Sequence, residues 1–150
     1  MKEFHGEAAE VAAAPQEDCF ALLAAVDAYP GWCPDVVRHV EVQDRDAGGQ
    51  PSRARMRVRI ARGPLVKEFE LLLAVGVDPP DAVNLSRFND HPTDQEFNAN
   101  WVLRPAGSTR IGLELDAKLR VPGYIPTGGM GNEIAENFVT AACRALARTR

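Results

Sequence analysis

Arg87 is the side chain best placed to act on a bound molecule. Around it Val83, Leu85 and Arg87 alternate with Asn84, Ser86 and Phe88. Successive residues of a strand point to opposite faces, so if Val83 and Leu85 face a core, Arg87 faces it too. A guanidinium keeps its proton to a pKa above about 12 and is a poor base. It can hold a carboxylate or polarise a carbonyl oxygen. The competing reading puts Arg87 at a sheet edge, solvated. Tyr29, Asn98 and Tyr124 are weaker polar helpers. No catalytic acid–base pair stands out from spacing.

A second set of charges has a plainer use. Arg53, Arg55, Arg57 and Arg59 alternate with Ala54, Met56, Val58 and Ile60, which gives one basic and one apolar face. On the next strand Glu68 and Glu70 alternate with Phe69, Leu71, Leu73 and Val75. If the two pair as a hairpin, the acids can answer the arginines and the face is an ordinary solvated one. The sharper alternative is a docking patch for phosphate, RNA or protein. Three cysteines (Cys19, Cys33, Cys143) and three histidines (His5, His39, His91) are scattered. An odd, widely spaced cysteine set does not make a disulfide framework, and no zinc-ligand pair is visible. No metal and no cofactor is expected.

The elements that must position these groups fit one domain over residues 1–150. A chain of this length buries enough surface to fold without a staple. The composition is globular, 45% hydrophobic and 25% charged. Apolar runs such as Leu71 to Val75 are far shorter than the ~20 residues of a membrane span, and the first residues lack a signal peptide's apolar stretch. A cytoplasmic protein without a membrane span is the expectation. The net charge of −4 argues against a general nucleic-acid binder. A homodimer is compatible with all of this.

The chain reads as a strand over 4–13, then a helix opened by Pro15 with Glu17 and Asp18 in its first turn. That helix ends near Asp27. Two prolines argue against a regular helix across Tyr29 to Pro34, and Pro34 could open a short second helix to Arg38. From Val40 the period becomes two, predicting strands at 40–46, 52–62, 65–77, 82–89, 95–104 and 109–121. A loop is expected at 90–94. The stretch 122–131 is rich in Gly and Pro, and whether it acts as a lid is open. A last helix over 132–149 follows, with Asn132 as N-cap and Glu133 and Glu136 at its positive end. Ile134, Phe138, Ala141, Ala142, Ala145 and Leu146 form its apolar stripe.

This order is α+β: two short helices after the first strand, then a six- to seven-stranded antiparallel sheet and one long C-terminal helix. One helix, about 10–12 Å across, cannot cover so wide a flat sheet, so the sheet must curl around it. Alanines 135, 141, 142 and 145 face inward. They either leave a ligand cavity or let the helix sit closer. A hydrophobic ligand in such a cavity would touch Met56, Val58, Phe69, Leu71 and Leu85 from the sheet. Trp101, Leu113 and Leu115 would extend that wall, Phe138 and Ala142 would come from the helix, and Trp32 would lie near one end or plug the core.

Residues from about Phe4 to Leu146 resemble the START-like (SRPBCC) superfamily, the polyketide cyclase/dehydrase and lipid-transport group. The resemblance is carried by Ala14-Pro15 with Phe20, by Asp27 to Pro34 with its Tyr29, Pro30 and Trp32, and by Asn100 to Pro105 around Trp101. The amphipathic last helix completes it. It implies the helix-grip fold and a lipid, quinone or polyketide-like ligand. It also implies two alternatives. One is an aromatase/cyclase in which Arg87 stabilises an enolate. The other is a ribosome- or protein-interaction module using the outer arginine face.

Overall fold

The structure is a computed structural model describing residues 2–87 and 95–148. The sequence reading's loop at 90–94, the end of its fifth strand beyond Arg87 and Thr149 lie outside the described residues. Seven strands form a single sheet in the order β1-β7-β6-β5-β4-β3-β2, every neighbouring pair antiparallel. Strand β1 (Lys2–Ala12) is one edge. The chain crosses to the other edge through α1 (Gln16–Ala24), a 3-10 turn at Val26–Ala28 and α2 (Tyr29–Trp32). It then returns strand by strand: β2 (Val37–Arg45), β3 (Pro51–Arg62), β4 (Leu65–Asp78), β5 (Ala82–Arg87), β6 (Glu96–Ala106) and β7 (Ser108–Leu119). Helix α3 (Met130–Arg148) follows. This is the curved-sheet, helix-grip arrangement.

Alternation sets the two faces. In β7 Ile111, Leu113, Leu115, Ala117 and Leu119 are buried, and Arg110, Glu114 and Asp116 between them are exposed. In β3 the buried set is Ala54, Met56, Val58 and Ile60. Its arginines lie outside and two of the row find acids, Arg57 meeting Glu70 at 3.4 Å and Arg53 meeting Asp44 at 3.9 Å; Arg55 and Arg59 form no ion pair among the described residues, and the Arg59 Nε is enclosed without a partner. Arg38 stands 3.9 Å from Glu68. Exposed pairs of this kind stabilise by at most about 1 kcal/mol each. They answer half of the row, at Arg53 and Arg57.

Helix α3 lies along β1 and β7. The approach is close because Gly6 and Gly131 meet: a Cβ on Gly6 would overlap the Gly131 backbone, and one on Gly131 would overlap the His5 carbonyl. Buried Ala135, Ala142 and Ala145 continue this low-profile surface. Ala141 is only half-buried, and Val139 takes a buried place instead. Small residues here therefore bring the helix down onto β1.

Two local readings are corrected. The second short helix is Tyr29–Trp32, not a helix from Pro34 to Arg38. Pro30 falls in its first turn, where the missing N–H is not needed, and β2 already starts at Val37. Helix α3 begins at Met130, so Asn132 is inside the helix rather than its cap. Its Oδ1 accepts the backbone N–H of Glu7 in β1, at 3.1 Å.

Candidate functional site

The concave side of the sheet and the inner side of α3 share one apolar core. Met56, Val58, Leu71 and Leu85 come to it from β3, β4 and β5, and Leu113 and Leu115 from β7. Phe138 and Ala142 face them from α3. Trp32 and Phe69 are the most accessible of the apolar residues expected to line a ligand cavity, at 8% and 7% exposure.

Four aromatic rings pack where α2, β6 and α3 meet. Trp101 stands edge-on to Phe138 with ring centroids 5.6 Å apart. Trp32 is 6.1 Å from Phe138, and Tyr29 is 4.9 Å from Trp32. Such pairs add about 0.5–1.5 kcal/mol each beyond the area they bury. The Tyr29 hydroxyl donates to the Leu23 carbonyl at 2.6 Å. Complete burial raises its pKa well above the ordinary tyrosine range, only partly offset by the Trp101 indole that approaches its oxygen. Tyr29 is thus a structural tyrosine, not a proton donor to a guest. The other two helpers suggested by sequence lie elsewhere. Tyr124 is 66% exposed. Asn98 is on the outer face, opposite Asp116, and accepts the Asn84 side-chain amide at 3.0 Å.

Arg87 is different. Its strand is interior to the sheet, between β4 and β6. It pairs with Leu73, a fully buried residue, and shares the parity of buried Val83 and Leu85. Arg87 is half-buried overall, and its Nε and Nη1 are enclosed with no hydrogen-bond partner among the described residues. The indole nitrogen of Trp32 is likewise enclosed and without a partner among the described residues, whereas that of Trp101 is directed at the Tyr29 oxygen. Buried donors are normally satisfied, and an unsatisfied one costs about 1–3 kcal/mol, more when charged. These N–H groups are the chemically distinctive feature of the interior. Thr109, a fully buried hydroxyl like that of Tyr29, already donates to the Ala14 carbonyl at 2.8 Å.

One end of the grip is fastened. Arg62, at the end of β3, reaches Glu133 of α3 at 2.6 Å and the carbonyl of Gly128 at 2.9 Å. Its Nε donates to the Pro126 carbonyl at 3.4 Å. Lys2 holds the same segment through the Ile125 carbonyl at 2.6 Å. The Gly- and Pro-rich stretch between β7 and α3 is therefore tied at both sides. Sequence reasoning missed Arg62. It closes the arginine-rich strand on the parity of the apolar residues, and that break in the pattern was the available signal.

The geometry has a family. Residues 12–143 match the polyketide cyclase / dehydrase and lipid transport family, and the chain belongs to it. Among solved structures, a START superfamily protein from Mycobacterium smegmatis is similar over 99% of both chains, at 23% identity and a TM-score of 0.74. The Zhui aromatase/cyclase from a Streptomyces species aligns over 99% of this chain and 97% of its own, at 16% identity and a TM-score of 0.64. A ginseng major latex-like protein from Panax ginseng aligns over 97% of both chains, at 10% identity and a TM-score of 0.62. Likeness at these identities is likeness of fold. No curated protein matches the chain. Among the described residues no helix is long and apolar enough to cross a membrane.

Proposed function

We propose that this protein binds an apolar small molecule bearing oxygen acceptors, held between the concave sheet and α3. The observation that carries the reading is Arg87, a guanidinium set among Val83, Leu85 and Leu73 with two enclosed N–H groups unpartnered. A carboxylate or carbonyl there would recover hydrogen bonds that the folded chain leaves unmade. The apolar lining supplies the remaining affinity. Burying each side-chain-sized group contributes roughly 1.5–3 kcal/mol, so several contacts reach micromolar binding.

Arg87 narrows the ligand: an oxygen carried on an apolar body, as in a polyketide- or quinone-like molecule, suits it better than a plain alkyl chain. The Arg62 fastening of the segment between β7 and α3 marks where the grip can open to admit a guest.

Cyclase chemistry is the second reading. Arg87 could polarise a carbonyl for ring closure. It would need a proton acceptor, and Tyr29, the nearest phenol in the interior, is committed to Leu23. Binding is therefore the function favoured over turnover. The paired arginines of β3 weaken the case for a docking face. A cytoplasmic setting agrees with three free thiols.

Native mass spectrometry of the purified protein, with denaturing extraction, tests the proposal. A stoichiometric adduct extracting as an oxygen-bearing apolar molecule supports it. A bare mass together with no uptake of anthraquinone or fatty-acid probes would sink it.

A further inference from the structure

The outer face of β1, β7 and β6 carries an unusual charge order. Pairing sets Glu7 directly opposite Glu114, and Arg110 directly opposite Arg104. Like charges placed so are destabilising. None of the four has an ion pair or side-chain hydrogen bond among the described residues, in contrast to Arg53 and Arg57 on β3. Between the acidic row and the basic row runs a row of small or apolar residues, Ala9, Gly112 and Val102, in register. The three rows frame a cleft of about 470 Å³. Beside Arg110, Val11 is 51% exposed.

We infer that this face is the contact between two copies of the chain, packed sheet to sheet about a two-fold axis. Place that axis in the interface, across the strands and through the Gly112 row. Strand β7 then faces β7 of the partner running the other way. The residue two positions before Gly112 comes to lie over the one two positions after it, so Glu114 of each copy meets Arg110 of the other. Asn100 meets Arg104 by the same operation. The pattern is self-complementary, as a two-fold interface requires. Stacked sheets stand about 10 Å apart, and the low floor at Gly112 and Ala9 leaves room for the longer side chains at both margins. Glu114 and Arg110, each set against a like charge within its own chain, are answered across the interface, while Arg104 meets Asn100 and Glu7 lies over Val11.

Sedimentation velocity over a concentration series tests this with four proteins: wild type, Glu114→Arg, Arg110→Glu and the double variant. Wild type is expected to dimerise. Each single reversal sets like charges face to face at two symmetric places and weakens the dimer at least about tenfold. The double variant restores complementarity and regains the dimer. Both single variants stay folded, since each also removes a like-charge pair within its own chain, and circular dichroism checks this. A wild type monomeric throughout, single variants that dimerise like wild type, or a folded double variant that does not recover would each overturn the inference.

Discussion

Asn132 and Glu133 are neighbours in the chain and hold opposite margins of the sheet. Asn132 accepts the Glu7 N–H from edge strand β1, and Glu133 takes Arg62 from β3, next to the other edge. Two consecutive residues of α3 thus draw a seven-stranded sheet into a curl around the helix. Whatever the interior holds, this is where the grip is closed.

Arg62→Ala should loosen that closure without unfolding the domain. It removes one ion pair and two bonds to the Pro126 and Gly128 carbonyls. The side chain is partly exposed, so the loss of stability should be only about 1 kcal/mol. Hydrogen exchange reads the local effect. The Ile125 and Met130 amides, bonded to Pro122 and Thr127, should exchange about tenfold faster, and those of β7 should be unchanged. Uniform acceleration everywhere would mean Arg62 supports the whole fold instead.

Gly131→Ala should destabilise, although alanine is worth up to about 1 kcal/mol more than glycine within a helix. The added methyl meets the His5 carbonyl, and neither backbone can yield without moving α3 off β1. Overpacking of this kind costs about 1–3 kcal/mol. Gly6→Ala meets the same contact from the other side and should behave alike in urea denaturation. A gain in stability from either variant would contradict the backbone contact.

Stability should fall on the alkaline side. Burial pushes the Cys33 thiol from 9.0 up to about 12. Cys143 also rises to about 12, through burial and the hydrogen-bonded Glu10 carboxylate beside it. Both keep their protons in the fold where an unfolded chain has released them. Their contribution is whole below pH 9 and is lost as pH climbs toward 12. Cys33→Ala should flatten that decline in the denaturation midpoint. At neutral pH a disulfide reagent should react slowly with the native protein and rapidly with all three thiols after denaturation.

Much of this architecture is legible in the residues, because alternation is continuous and one parity is apolar from Ala54 to Ile60 in β3 and from Ile111 to Leu119 in β7. The inward parity of Arg87 follows from the same rule. What sequence misplaces is local: Pro30 inside a one-turn helix, and Asn132 used sideways toward β1 rather than as a cap. The outer face escapes for another reason. Glu7 and Glu114 confront each other across more than a hundred residues of chain, and their opposition depends on register, which periodicity does not specify. The unpartnered indole nitrogen of Trp32 is equally invisible, since whether a donor is satisfied depends on three-dimensional neighbours.

The measurement that reaches the central claim most directly is calorimetric binding of two matched probes, an anthraquinone carboxylate and its uncharged methyl analogue, to wild type and to Arg87→Met. The substitution keeps length and removes the charge, and because Nε and Nη1 have no partner its cost to stability should be small. Wild type should prefer the carboxylate by about ten- to a hundredfold, the worth of one charge-assisted hydrogen bond or two. Arg87→Met should bind both probes alike, at the affinity of the uncharged one. An undiminished preference in Arg87→Met, or a wild type that takes up neither probe, would contradict the assignment of Arg87 as the polar anchor of an apolar site.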